Sequence, residues 1–314
     1  MAQPQFVALA ERGILAISGP DRRSFLQGLV SNDVEKLAAG RAVYAALLTA
    51  QGRYLHDFIM VEADETIWLD AERARLADLK RRLSIYRLRA KVDIAERPEL
   101  AVAAVFGDSA PAALDLADGA GTARRLDGGV ALTDPRLAAL GARLIADRGR
   151  LARITAQFAA ADFIAWDRHR LALGIPDGSR DLVPEKSLLL EAGFDELNGV
   201  DWQKGCYIGQ ELTARTKYRG LVKRHLFPVR IDGPAPAPGT LLTLDGKEAG
   251  EMRSSCGNHG LALLRLDAVA EGGTLSADAT SLTPVRPDWM RVEPDNPSPA
   301  LREREGPAPS GAGG

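Results

Sequence analysis

The sequence predicts an α+β protein that ends in a small β-barrel. Three observations carry that reading. Apolar runs joined by tight turns between Ala42 and Asp70 form a meander, which makes an antiparallel sheet. Strands and helices alternate beyond Val92, as in a second small α+β unit. After Arg224 the runs are short and closely spaced, the pattern of a small all-β barrel or sandwich. At 314 residues the chain has room for two or three domains with ample core. The boundaries read as a body of two interleaved α+β subdomains over 1–224, a barrel over 225–286 and a disordered tail over 287–314.

Phe6 to Leu9 and Gly13 to Ile17 are apolar runs at hairpin spacing. Ser18-Gly19-Pro20-Asp21 supplies helix-start chemistry, and Phe25, Leu26, Leu29 and Val30 share a helical face. Ala42 to Thr49, Tyr54 to Glu62 and Thr66 to Asp70 are the strands of the meander. Arg73 to Arg89 reads as an amphipathic helix with Leu76, Leu79, Leu83 and Tyr86 turned inward. Val92 to Ala95, Leu100 to Phe106, Gly129 to Thr133 and Ala142 to Asp147 are strands, Ser109 to Leu116 a short helix, and Ala159 to Leu173 a long one. In the barrel, Asp245-Gly246 between apolar runs is a hairpin signal. From Pro287 the Pro, Gly and charge content cannot bury a core.

One stretch carries chemistry. Asn198 to Arg224 contains Lys204-Gly205-Cys206-Tyr207-Ile208-Gly209-Gln210-Glu211. Gly205 to Gly209 reads as a tight turn that opens a helix, the glycines letting backbone approach backbone or ligand. A thiol at a helix N-terminus beside Lys204 would have a lowered pKa and act as a nucleophile or metal ligand. The other reading of Cys206 is a small buried hydrophobe. Glu211 would project a carboxylate from the same end, or simply complement the helix dipole.

The octapeptide resembles the signature of the YgfZ family, folate-binding proteins that maintain iron–sulfur enzymes. That family is related to the T-protein, the aminomethyltransferase of glycine cleavage. Phe25-Leu26-Gln27-Gly28-Leu29-Val30-Ser31-Asn32-Asp33-Val34 and Leu47-Leu48-Thr49-Ala50-Gln51-Gly52-Arg53, followed by Asp57-Phe58, agree with it in the same order. The resemblance implies a T-protein-like folate-binding body, bound tetrahydrofolate or a derivative, and iron–sulfur client or carrier proteins as partners. It implies a functional role for Cys206 with Lys204, and a pterin contact for Glu211, whose carboxylate would accept two neighbouring N–H groups. Tyr207, Gly209, Gln210 and Arg219 would complete the folate contacts. Lys217, Arg219, Lys223, Arg224 and His225 form a basic run that would receive the glutamate carboxylates or be merely solvated.

Asp57 matches an aspartate of the T-proteins, but their Gly-Gly-x-x-Asp-Asp run reads Gly52-Arg53-Tyr54-Leu55-His56-Asp57 here. That departure weakens aminomethyl transfer, the alternative activity. A strand-end cap is the other account of Asp57.

A net charge of −2 gives no global field for nucleic acid. Cys206 and Cys256 are the only thiols, too few for a disulfide scaffold or for holding a cluster with four thiolates. They fit a reducing compartment and a cytoplasmic protein. The four His are scattered without metal-ligand spacing, so no stable metal is expected on the isolated chain. The N-terminus lacks the basic and apolar regions of a signal peptide, and no apolar run is long enough to span a membrane.

Overall fold

The computed structural model describes residues 3–291. The body runs β1 (Gln5–Ala8), β2 (Arg12–Ser18), α1 (Arg22–Gln27), β3 (Val43–Leu48), β4 (Tyr54–Ala63), β5 (Thr66–Glu72), α2 (Leu76–Tyr86) and β6 (Asp93–Glu96). It continues through β7 (Leu100–Phe106), β8 (Ala123–Leu126), β9 (Gly129–Thr133), β10 (Ala142–Asp147), α3 (Arg148–Thr155), β11 (Ala159–Ala160), α4 (Phe163–Ala172) and α5 (Gln210–Tyr218). The barrel region has β12 (Arg224–Asp232), β13 (Leu241–Leu244), β14 (Lys247–Cys256), β15 (His259–Arg265), α6 (Leu266–Glu271), β16 (Leu275–Ala277) and β17 (Thr280–Pro284).

A five-stranded sheet has the order β3-β4-β5-β2-β6, and a six-stranded sheet the order β11-β1-β7-β10-β9-β8. The subdomains interleave because β1 crosses to the second sheet. The hairpin expected of β1 and β2 is therefore corrected. β2 is paired along both edges, by β5 and β6, and has no free edge for β1. The strands of the first sheet are covered on both faces. Leu15, Ile17, Phe58 and Met60 share a core with Leu26, Leu79 and Leu83 of α1 and α2. Ile14, Ala16, Ile59 and Val61 of the other face pack with Val102, Ala104, Val130 and Leu132 of the second sheet.

Buried charge crosses that second core. Arg12 Nε donates to Asp70 Oδ1 (2.7 Å), and Arg143 Nη1 donates to Asp70 Oδ2 (2.7 Å). Arg143 Nε and Arg136 Nη2 both donate to Asp134 Oδ2 (2.9 and 2.8 Å). All five side chains are buried. Burial alone would raise the Asp134 carboxyl, but the Arg136 and Arg143 guanidiniums hold it well below the usual range. Each carboxylate is paired twice, which is how a buried charge is tolerated. This ladder fixes one sheet against the other.

Three helix expectations are corrected. The segment from Ala159 begins as strand β11 and becomes helical only at Phe163, where the Asp162 side chain accepts from Ala165 N (2.8 Å), an N-cap that sets the start. Of 109–116 only Ala112–Leu114 forms a 3₁₀ turn. Tyr86, expected inward, is 39% exposed at the end of α2.

The barrel closes in the order β12-β15-β14-β13-β16-β17, which removes free edges. Asp245 (φ 50°) and Gly246 (φ 78°) turn β13 into β14, with the positive φ at both central positions that a two-residue hairpin favours. Arg170 ties barrel to body: it donates to Asp167, Asp181 and Ser254 Oγ (2.6, 2.7 and 3.1 Å). The start of the tail is also corrected. Trp289 Nε1 donates to Leu173 O (2.8 Å) and Met290 is buried in the barrel core, so 287–291 belongs to the folded part. The rest of the expected tail lies outside the described residues.

Candidate functional site

The sequence motifs converge on one place. Gly209 (φ 81°) is the residue before α5, and Gly52 (φ 76°) lies in the turn between β3 and β4. A Cβ on Gly52 would stand 2.7 Å from Gly209 O, and one on Gly209 would stand 3.0 Å from Gly52 Cα. Only two glycines permit so close a backbone approach. The α1 motif packs on the other side. Ile208 N donates to Gly28 O (3.2 Å), Ser31 Oγ to Gly199 O (2.6 Å), and Asn32 Nδ2 to both Tyr44 O and Asn198 O (2.7 Å each).

Cys206 stands on this platform and is exposed. The buried-hydrophobe reading is thereby set aside. The helix N-terminus is not at the thiol: α5 begins at Gln210 behind the Gly209 turn. Lys204 is turned beneath α1, where its ammonium donates to Gln27 O (2.7 Å) and Val30 O (2.5 Å). Burial pushes that ammonium down to about 8, with Asp33 and Asp201 opposing. Lys204 thus caps the carbonyls at the end of α1 and its Nζ lies 5.1 Å from the Tyr207 ring centroid. Tyr207 is buried, and burial raises its phenol to about 12.

The other expected contacts scatter. Glu211 has 83% of its side chain exposed and pairs with Arg215 one turn on. Gln210 is partly buried at the first position of α5, and Arg219 is exposed beyond its end. The basic run is divided. Lys217 donates to Asp195 (2.7 Å) and lies over Trp202, Arg224 faces Glu191 (3.4 Å), and His225 is fully buried.

Asp57 is buried on β4, where Tyr44 Oη donates to one carboxylate oxygen (3.0 Å) and Tyr54 Oη to the other (2.7 Å). It caps no strand-end backbone. His56 points to the opposite face, where its Nε2 lies 2.9 Å from Asp78 of α2. No carboxylate pair exists at this position.

Beside the platform is a cavity of about 300 Å³ lined by Asn32, Lys36, Arg41, Tyr44, Asn198 and Asp195 among others. Tyr44 forms part of its wall, stacked on Phe194 (4.9 Å) with the Arg136 guanidinium 5.6 Å from its ring. Lys36 also pairs with Asp201. Lys36, Arg41, Tyr44 and Asn198 were not singled out from the sequence. Lys36, Arg41 and Tyr44 are close in sequence but follow no motif, Asn198 is far from them along the chain, and only Asn32 and Asn198 fall inside a quoted motif.

Residues 9–121 match the GCVT N-terminal domain, and residues 223–292 match the CAF17 C-terminal beta-barrel domain. The iron–sulfur cluster assembly factor IBA57, mitochondrial, of Homo sapiens is 37% identical over 305 residues, covering 88% of this chain and 83% of that protein. The Mus musculus protein of the same name is 35% identical over 302 residues, with the same coverage. The chain belongs to the IBA57/CAF17 family. A glycine cleavage aminomethyltransferase T from Bartonella henselae superposes with a TM-score of 0.74 at 15% identity, covering 92% of this chain and 87% of that one. That likeness shows the fold. The family resemblance is accordingly redirected, because the relatives are named IBA57 and not YgfZ. The cytoplasmic expectation is corrected as well: these relatives, and one from Neurospora crassa, are named as mitochondrial proteins. The thiol count on which it rested reports redox conditions and no address.

Proposed function

We propose that this protein is an iron–sulfur cluster assembly factor whose working group is the Cys206 thiol. The observation that carries the reading is the exposed cysteine held on a platform of three motifs. A thiolate ligates iron, and one thiolate is too few to keep a cluster alone. Exposure therefore suits a transient contact with a carrier or client that supplies the remaining ligands. Cys206→Ser should abolish support of iron–sulfur enzymes in cells that lack the native protein, while its stability stays within ~1 kcal/mol, as for a surface change. Full support of those enzymes by the Ser variant would sink the reading.

Tetrahydrofolate, or a derivative, is the second part of the proposal. The cavity supports it: Arg41, which forms no ion pair among the described residues, is a cation suited to a glutamate carboxylate, and the volume accommodates part of the molecule. Glu211 does not line that cavity, so the pterin contact expected of it is no part of this fit. Calorimetric titration with a tetrahydrofolate analogue should show Arg41→Ala weakened about tenfold or more and Glu211→Gln unchanged. Sharp loss in Glu211→Gln with Arg41→Ala unaffected would reverse the assignment. Aminomethyl transfer finds less support, since both oxygens of Asp57 are engaged by phenols.

A further inference from the structure

The largest exposed apolar side chains of the described residues include a cluster at the end of α2. Leu88 is 89% exposed, Ile85 60% and Tyr86 39%. Arg87, Arg89 and Lys91 alternate with them and are exposed. Among the described residues these three form no ion pair, whereas Arg81 and Arg82 earlier in the helix both pair with Asp78. Leu88 has φ 40°, a left-handed conformation that branched side chains avoid. Backbone bonds from Arg87 N to Ser84 O (3.2 Å) and from Ala90 N to Arg87 O (2.7 Å) hold the turn in that shape. The turn ends α2 in the left-handed conformation that commonly terminates helices, and it leaves the Leu88 side chain in water, where only a partner would bury it.

The knob is linked to the thiol. Lys91 N donates to Asp21 Oδ2 (2.7 Å) at the start of α1, and Lys204 caps its other end. Helix α1 has six residues, so it is ~9 Å long. Ser24 on the helix and Gly28 just beyond its end are exposed between the two ends, leaving low relief. The knob and the thiol segment thus flank the two ends of α1, and an average interface of about 800 Å² per partner is wide enough to span a helix of that length.

We infer that Ile85–Lys91 is the docking surface for the iron–sulfur protein that meets Cys206, and that this partner bears an apolar pocket ringed by aspartate and glutamate. The inference rests on the reading of Cys206 given above. Leu88 would fill the pocket, and the unpaired cations would orient the encounter. The same cations on a chain of net charge −2 make the attraction local.

The test uses the full chain and iron–sulfur carrier proteins of the same organism, purified with a [2Fe–2S] cluster and titrated one at a time under anaerobic conditions by calorimetry. Leu88→Asp should weaken carrier binding about tenfold or more, and Arg87→Glu with Arg89→Glu should remove its salt dependence. Leu241→Asp, at a 60% exposed leucine on the barrel, should change neither. Leu88→Gly relieves the strained turn, so it should keep or raise the melting temperature and still lose affinity. Cys206→Ser should dock normally. Carrier binding that is unchanged in Leu88→Asp overturns the docking surface and leaves the Cys206 reading intact. Loss of binding only to phosphatidylglycerol vesicles would assign the knob to a lipid surface and overturn it too. If no carrier binds the wild type, the docking surface falls, and the Cys206 reading is decided separately by the Ser variant in cells.

Discussion

Gly209→Ala tests whether the motifs are docked as rigidly as the geometry requires. Gly209 has φ 81°, and placing an alanine there costs ~1–2 kcal/mol for the left-handed backbone alone. Its methyl would overlap Thr49 O and stand 2.9 Å from Leu48 Cβ and 3.0 Å from Gly52 Cα. Two of those three atoms are backbone, which cannot rotate away. Overpacking of this kind adds ~1–3 kcal/mol, for a total of roughly 2–5 kcal/mol out of a typical 5–15. Gly205→Ala is the matched control, because Gly205 has φ 92° and a Cβ there meets nothing within 4 Å. It should show the conformational part only. Urea unfolding of both variants isolates the packing part as their difference. Equal losses would refute the reasoning, since the 49–52 turn would then yield freely and the Cys206 platform would not be held by backbone contact. A larger loss in Gly209→Ala, with Cys206 alkylating at an altered rate in the folded variant, is the expected outcome.

Further outcomes follow from the titrating and docking groups. Burial, reinforced by Arg75, pushes the His56 imidazole down to about 4 against the pull of Asp78. The unfolded chain therefore binds a proton through ~6.5 while the folded chain waits until near 4, so stability falls as pH drops across that window, by a few kcal/mol at most, on the order of 3. Urea midpoints at several pH values should show the slope, and His56→Gln should flatten it. Lys204 acts on the alkaline side: its folded pKa is about 8, below its unfolded value, so stability should rise as pH climbs from about 8 towards ~10.4, and Lys204→Met should abolish that rise. Trp289→Ala removes the bond to Leu173 O and the contact with the barrel and should cost roughly 2–4 kcal/mol. A melting temperature unchanged in that variant would mean that 287–291 does not dock.

The architecture was legible where local pattern and partner choice agree. The meander of β3, β4 and β5, the Asp245-Gly246 hairpin and the α5 helix each follow from alternation, turn chemistry or spacing. The β1 placement was not legible, because pairing is decided by which edge is free and not by the runs themselves. The same holds for the arginine ladder: Arg12, Asp70, Asp134, Arg136 and Arg143 look like ordinary surface charge in a chain rich in arginine. Cys206 stands out in the sequence because the glycines around it demand an explanation, and the structure leaves it exposed. Glu211, for which the resemblance implies a pterin contact, is surrounded here by Arg215 and solvent. The cavity carried no signal, since nothing in the sequence ties Asn198 to Lys36, Arg41 and Tyr44 before the sheets assemble.

The ladder also bears on where chemistry takes place. An enclosed active site needs a cleft with polar groups free to meet a substrate. At the centre of the contact between the two sheets, Asp70 and Asp134 are each held by two arginines, and Asp57 by two tyrosines. Those carboxylates are committed, and breaking a buried ion pair of this kind by removing a partner costs ~3–5 kcal/mol. The thiol, by contrast, is exposed. A fold shared with a glycine cleavage aminomethyltransferase thus presents, in this chain, a cysteine outward. Outward presentation suits the proposed handover between proteins, where the second protein supplies the rest of the coordination.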